Sequence, residues 1–167
     1  MKLSSLALTL ALLPAALFAA GGNSGGTTTT PSAPTVIPGG AYATTYVISA
    51  PGSYVLGGNR SANTAIYVIE IAAPDVTLDL NGFRLTNAPG ASDAGGGISI
   101  PTPENVEIRN GSIVDTGKYG IQAKFGKGVR VIDVRVAGTT YMGINIQTAA
   151  SRVERCQATR TGSCVNY

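Results

Sequence analysis

Gly97-Ile98-Ser99-Ile100 returns as Gly120-Ile121-Gln122-Ala123 and again as Gly143-Ile144-Asn145-Ile146. Both steps are 23 residues long (120 − 97 and 143 − 120). A fixed period of this size is typical of a solenoid, in which each repeat needs its neighbours to bury its apolar side. The spacing therefore predicts a stack of similar coils.

The segments between these repeats have the pattern of short strands. Val76-Thr77-Leu78-Asp79-Leu80 alternates apolar and polar side chains, a period of two that indicates a β-strand. This segment aligns with Val106-x-Ile108 and Val129-x-Val131, again 23 residues apart (129 − 106). Asn81-Gly82 would normally indicate a hairpin turn, but the period leaves room for three short strands joined by bends. We therefore expect an all-β parallel solenoid of about four to five coils.

Side chains one coil apart are expected to lie above one another. Two apolar columns should fill the interior, namely Ile69, Ile98, Ile121 and Ile144, and Ile71, Ile100, Ala123 and Ile146. A polar column of Glu70, Ser99, Gln122 and Asn145 should face outward, either as a solvated ladder that keeps the sheet soluble or as a ligand-binding face. On the strand that contains Val76 and Leu78, Asp79 should face Arg109 of the next coil. Glu107 should likewise neighbour Arg130, and such pairs of opposite charge are mildly favourable.

Two parts of the chain depart from the period. The step from Ile69 to Ile98 is 29 residues, so a loop over Thr86–Gly96 takes up the excess, and such insertions often carry function. Near the other end, Val153 follows Val131 by only 22 residues, and the sequence stops where a further strand would begin. We expect an open, incomplete C-terminal coil that pairs with a second copy or a partner, or that continues in a longer β-helix.

The first 41 residues have a different composition. Residues 1–20 have the pattern of a secretory signal peptide, with Lys2 followed by the apolar run Leu6–Phe18 and small residues. An uncleaved anchor is the alternative, although the run is short for a membrane span. Residues 21–41 read as a low-complexity Gly/Thr/Pro linker and residues 42–167 as the β-helix domain. We expect export to the periplasm, the cell surface or the medium, without membrane attachment after cleavage.

Composition narrows the classes of function. The 167 residues include no His, which excludes His-containing catalytic triads and His-based zinc sites. The net charge of +3 comes from 12 basic and 9 acidic residues without a basic run, so nucleic acid is not an expected partner. Cys156 and Cys164 have three interpretations: two reduced core residues, a disulfide across the last coil, or metal ligands. Cys156 falls in an inward position equivalent to Val134.

Three segments resemble a known family: Ala50-Pro-Gly-Ser-Tyr-Val-Leu56, Asp75-Val-Thr-Leu-Asp-Leu-Asn-Gly-Phe83 and Asn105-Val-Glu-Ile-Arg-Asn-Gly111. They are similar to the first coils of secreted bacterial proteins of the pectin-lyase-like superfamily. The resemblance covers about residues 46–163 and implies a right-handed, single-stranded parallel β-helix. It implies no single function, because that superfamily includes polysaccharide lyases, glycoside hydrolases, an accessory protein of copper-site maturation and adhesins.

The chain departs from the enzymes of that superfamily. Their hydrolases share clustered aspartates and a Gly-His-Gly segment, which a chain without His lacks. Their lyases share acidic calcium ligands beside a catalytic Arg or Lys. The corresponding residue types here are Asp115, Lys118, Lys124 and Lys127, which lie in turns. No second acid falls one coil from Asp115, because position 138 (115 + 23) is Gly. We therefore identify no catalytic, cofactor-binding or metal-binding residue.

These observations favour a non-catalytic exported module with a structural, surface-attachment or glycan-binding role and a polysaccharide as its expected partner. The alternative is a carbohydrate-active enzyme of the polysaccharide lyase type, or the N-terminal part of one. It would use a basic residue between Lys118 and Arg130, with calcium as its cofactor.

Overall fold

The computed structural model describes residues 32–63, 67–87, 95–102 and 104–166, and residues 163–166 by their backbone alone. Regular structure over these ranges consists of β-strands. Their bounds are β1 (Thr35–Ile37), β2 (Gly40–Tyr42), β3 (Tyr46–Ile48), β4 (Gly52–Leu56), β5 (Arg60–Ala62), β6 (Tyr67–Ile71), β7 (Val76–Asp79), β8 (Arg84–Asn87), β9 (Gly96–Ile100), β10 (Val106–Val114), β11 (Tyr119–Ala123), β12 (Val129–Ile146), β13 (Arg152–Glu154) and β14 (Gln157–Asn166).

The strands stack in parallel on three faces of a solenoid. Face A stacks β1, β4, β7, β10, β12 and β13. Face B stacks β2, β5, β8, β10, β12 and β14. Face C stacks β3, β6, β9, β11, β12 and β14. The chain makes about 5 turns, which confirms the expected all-β parallel solenoid. The right hand of the coil stays a prediction.

Both expected apolar columns are confirmed. Ile121 pairs in register with Ile98 on one side and with Ile144 on the other. Ile69 continues this column below Ile98, and all four side chains have 0% of their surface exposed. Ile71, Ile100, Ala123 and Ile146 are buried in the same way. Each buried isoleucine contributes about 2–3 kcal/mol of hydrophobic stabilisation, so these columns stabilise the stack of coils together with the rest of the core.

Each repeat begins with glycine because there is no room for a side chain at that position. A Cβ built on Gly97 would overlap the side chain of Ile113 and the carbonyl of Gly120. A Cβ on Gly120 would likewise overlap Val136 and the carbonyl of Gly143. Any larger residue would therefore push face C away from face B, which explains why the repeat begins with glycine.

The bends between faces place residues in the left-handed backbone region. At the bend from face A to face B these are Asn81, Asn110, Asp133 and Arg155, with φ of 52°, 57°, 53° and 49°. Asp75, Asn105, Gly128 and Ala150 occupy the bend from face C to face A, and Asp115, Gly138 and Arg160 the bend from face B to face C. Asn, Asp and Gly adopt this conformation at least cost. Asn81-Gly82 is therefore a bend between parallel strands, as expected, and not a hairpin.

The solenoid begins earlier than expected. β1 and β2 pair in parallel with β4 and β5, so the strand pairing starts at Thr35, before the boundary predicted at residue 42. The two strands have three residues each, too few to show an alternating pattern within a Pro- and Gly-rich segment. The expected signal peptide and residues 88–94 of the Thr86–Gly96 insertion lie outside the described residues. The insertion joins β8 to β9, which places it at the bend from face B to face C.

Candidate ligand-binding surface

Tyrosines, a lysine and a glutamine lie together on face C and at the bend that leads into it. We call Tyr67, Lys118, Tyr119, Gln122 and Tyr141 the tyrosine cluster. The rings of Tyr119 and Tyr141 meet edge to face, with centroids 5.7 Å apart and planes at 84°. The Lys118 ammonium lies 5.7 Å from the Tyr119 centroid and 5.4 Å from the Tyr141 centroid. Tyr141 is 47% exposed, so this end of the cluster is open to solvent.

Backbone hydrogen bonds between coils hold the bend beneath the cluster. The Lys118 N–H donates to the Gly95 carbonyl at 2.6 Å. The Lys118 carbonyl accepts from the N–H groups of Tyr141 and Met142, each at 3.1 Å. The ladder thus fixes the backbone that carries Lys118 and both rings, while the side chains remain on the outside of the solenoid.

Tyr67 reaches along the outside of the stack. Its ring lies over Gly96, where a Cβ would overlap both the ring and the Tyr119 carbonyl. Its hydroxyl donates a hydrogen bond to Gln122 Oε1, which lies two coils further along. Burial, and to a smaller degree Tyr119, raises the pKa of Tyr67 well above its usual range. The phenol is therefore neutral at physiological pH and acts as a hydrogen-bond donor.

The polar column beside this ring is only in part the solvated column that we expected, because Glu70 and Ser99 are partly exposed but Gln122 and Asn145 are buried. The register is as predicted, since Ser99 pairs with Gln122 and Gln122 with Asn145. Gln122 is only 7% exposed and Asn145 only 2%, whereas Glu70 is partly exposed. The alternating sequence pattern predicts on which side of the sheet a side chain lies. It does not predict which neighbouring side chain covers it, and here the Tyr67 side chain extends to Gln122. Gln122 Nε2 and Asn145 Oδ1 have no hydrogen-bond partner among the described residues.

The residues considered for a lyase site do not come together. Asp115 and Lys118 lie at the bend from face B to face C, Lys124 and Lys127 lie between face C and face A, and Arg130 lies on face A. Lys127 Nζ pairs with Glu104 at 3.2 Å. Asp115 Oδ1 lies 3.9 Å from Arg160 Nη2. Gly138, one coil further along, packs directly against the Asp115 carboxylate. The five residues are therefore spread over two different bends and face A, and they do not form one site.

The expected charge pairs on face A are confirmed. Arg109 Nε lies 3.1 Å from Asp79 Oδ2, and Arg130 Nη1 lies 3.2 Å from Glu107 Oε2. Arg109 Nη1 also contacts Glu107 Oε1 at 3.3 Å, which joins the two pairs into one network. A shallow groove of about 240 Å³ lies beside it, lined in part by Ser53, Thr77, Asp79 and Arg109. Because both charges that line the groove are already paired, the polar groups left for a ligand are mainly hydroxyls, and they lie beside the apolar side chains of Pro34 and Val55.

Cys156 is a free thiol that packs partly buried against the core, in the position equivalent to Val134. Burial raises the pKa of the Cys156 thiol, which keeps it protonated. Within the described ranges, no group of three or more His, Cys, Asp or Glu side chains is placed to hold a metal ion.

Sequence reasoning missed the three tyrosines as a set. Tyr119 directly precedes one copy of the Gly-Ile repeat and Tyr141 lies two residues before the next copy, while Tyr67 lies two residues before Ile69. The available signal was that Tyr67 and Tyr119 occupy the same position of the repeat and that Tyr141 lies one residue before that position in the next coil.

Comparison of the chain with protein-family models, with curated proteins and with solved structures gives no match. Among the described residues, none of the elements is a helix with the length and apolar character needed to cross a membrane.

Proposed function

We propose that this chain is an exported, non-catalytic β-solenoid module that binds a glycan through the tyrosine cluster of face C. The observation that carries the proposal is the half-exposed Tyr141 ring, held edge-on to Tyr119 beside the Lys118 ammonium. Tyrosine rings present an apolar face and a polar hydroxyl on a rigid side chain, which suits the mixed apolar and polar surface of a sugar. Lys118 adds hydrogen-bond donors at the same place.

The distribution of charged groups supports a binding role over catalysis. General acid–base or lyase chemistry needs acidic and basic groups within reach of one reacting centre. Here Arg130 and Lys127 are each paired with a carboxylate from the neighbouring coil. Lys118, in turn, lies against aromatic rings. The signal-peptide pattern and the resemblance to the pectin-lyase-like superfamily support the export and the glycan class of the ligand.

A glycan array followed by calorimetry on the purified chain tests the proposal. We expect Tyr141→Ala to weaken binding of the selected oligosaccharide by at least about tenfold, because an aromatic anchor is lost. Phe125→Ala is the matched control, since Phe125 is 65% exposed on the stretch between face C and face A, and it should bind as the parent does. Absence of binding across the array, or equal losses in both variants, would contradict the proposal.

The non-catalytic part has a separate test. The chain is incubated with uronic-acid polymers and calcium while ultraviolet absorbance is followed, because lyase cleavage creates an absorbing double bond. We expect no rise. A rise that disappears in the Lys118→Ala, Lys124→Ala, Lys127→Ala triple variant would favour the lyase alternative.

A further inference from the structure

Two buried amide side chains beside the tyrosine cluster each have one polar atom without a partner. Gln122 is 7% exposed and Asn145 is 2% exposed, and the two are register partners on adjacent coils of face C. Gln122 Nε2 and Asn145 Oδ1 are closed to solvent and make no hydrogen bond within the part of the chain that the structure describes. Buried polar groups are nearly always paired, so each exception requires a physical explanation. We call these two atoms the amide pair.

The two atoms of the amide pair have complementary chemistry. The Tyr67 hydroxyl donates to Gln122 Oε1, so the atom left over on the Gln122 amide is the Nε2 donor. The atom left over on Asn145 is an acceptor. In a continuous ladder of stacked amides, the donor of one coil bonds to the acceptor of the next. That bond is not made between Gln122 and Asn145, so a donor and an acceptor remain for a ligand.

We infer that the glycan of the tyrosine cluster carries an N-acetyl group that bonds to the amide pair, an inference that rests on the proposed function. The carbonyl oxygen of an acetamido group accepts from Gln122 Nε2, and its N–H donates to Asn145 Oδ1. A sugar hydroxyl also donates and accepts, but its single oxygen is attached directly to the ring. Because the amide pair is buried, a group that extends beyond the sugar ring suits it better.

The amide pair lies within reach of the tyrosine rings. Gln122 follows Tyr119 by three residues on β11, and Asn145 follows Tyr141 by four residues on β12. At a rise of about 3.3 Å per residue, the amide pair lies roughly 10 Å along face C from Tyr119, within the length of a disaccharide. A glycan with one sugar on the rings can thus direct the acetamido group of the next sugar to the pair.

Entry of the acetamido group requires side chains to move apart, because both atoms are closed to solvent in the free protein. The rings of the cluster differ in how far they are confined. Tyr67 is 8% exposed and hydrogen-bonded to Gln122, whereas Tyr141 is 47% exposed. The glycan therefore enters from the side of Tyr141, while Tyr67 keeps the Gln122 amide oriented.

Calorimetry with two trisaccharides tests the inference. Triacetylchitotriose and cellotriose share one backbone and one linkage, and they differ by an acetamido group in place of a hydroxyl on each ring. We expect the purified chain to bind triacetylchitotriose at least about tenfold more tightly, because a site built for hydrogen bonds rejects a ligand that leaves its buried groups unpaired.

Three variants assign that preference to the amide pair. Gln122→Glu replaces the donor with an acceptor and still accepts from the Tyr67 hydroxyl, and Asn145→Leu removes the acceptor. Each should reduce the preference to about twofold or less, through weaker binding of triacetylchitotriose. Ser99→Ala is the matched control, since Ser99 lies in the same column one coil before Gln122 and is partly exposed. It should keep the preference of the parent.

Nuclear magnetic resonance on the isotope-labelled parent gives a readout that does not depend on the folding of a variant. The side-chain amide signal of Gln122 should shift on titration with triacetylchitotriose and stay in place with cellotriose. The signal of Gln157, which lies exposed on face B, should not move with either trisaccharide.

Equal affinity for both trisaccharides, no binding of triacetylchitotriose, or an unchanged preference in Gln122→Glu and Asn145→Leu would overturn the inference. The amide pair would then be bridged by water alone. The glycan array separates this failure from failure of the proposed function. If Tyr141→Ala weakens binding of glycans that have no N-acetyl group, the proposed function stands and the inference falls. If no glycan binds, both fall.

Discussion

Shortening Ile121 to alanine removes the centre of an interior column. Ile121 is fully buried between Ile98 and Ile144 on the adjacent coils. Truncation takes away three carbon atoms, worth about 0.8 kcal/mol each in transfer free energy. The cavity that remains adds to this, because a close-packed column cannot collapse fully around it. The expected loss is about 3–4 kcal/mol, a large share of a typical free energy of unfolding of about 5–15 kcal/mol.

Urea unfolding followed by circular dichroism measures this loss. Ile132→Ala is the control, because Ile132 lies on the face A part of β12, where it faces outward and is only partly buried, so the same chemical change should cost less than about 1 kcal/mol. The dependence of the free energy on urea concentration should be equal in both variants. Losses of similar size for Ile121 and Ile132 would refute the inward and outward assignment of β11 and β12.

Three further changes test the bends and the hydrogen bonds between coils. Ala150→Gly should raise the free energy of unfolding by about 0.5–1 kcal/mol, because glycine adopts the φ of 52° without strain, and urea unfolding measures the gain. Arg155 lowers the pKa of Asp133 in the folded protein, so the pair stabilises the fold above the unfolded pKa of about 4 and stops doing so as pH falls through the lowered value. Thermal unfolding from pH 7 to pH 2 should show Asp133→Asn less stable at neutral pH and equal to the parent at the acid end; a constant difference would contradict this. Tyr67→Phe leaves Gln122 Oε1 without its donor and should cost about 1–2 kcal/mol in urea unfolding, and an unchanged midpoint would disprove the bond.

The repeat predicted most of the interior, because a residue that recurs at a fixed spacing must occupy the same place in each coil. The columns of Ile98 and Ile100, and the pairing of Asp79 with Arg109, follow from this register alone. The chain length of each coil also showed that Asn81-Gly82 is a bend, where the local pattern alone suggests a hairpin.

The parts that escaped prediction depend on features without a period. β1 has three residues and lies in a Pro-rich stretch, so nothing in its pattern distinguished it from the linker before it. The burial of Gln122 depends on Tyr67, a large side chain that leans along the stack rather than outward. A period of two describes which face a residue occupies, and it contains no information on how far a neighbouring ring extends over that face.

Nuclear Overhauser contacts between isoleucine methyl groups test the stacking most directly. In the chain labelled only at isoleucine methyls, we expect strong cross-peaks from Ile121 to Ile98 and to Ile144, one strand spacing of about 4.8 Å away on either side. We expect at most a faint cross-peak between Ile98 and Ile144, two spacings apart. Absence of both strong peaks, or a strong contact between Ile98 and Ile144, would contradict a solenoid with this register.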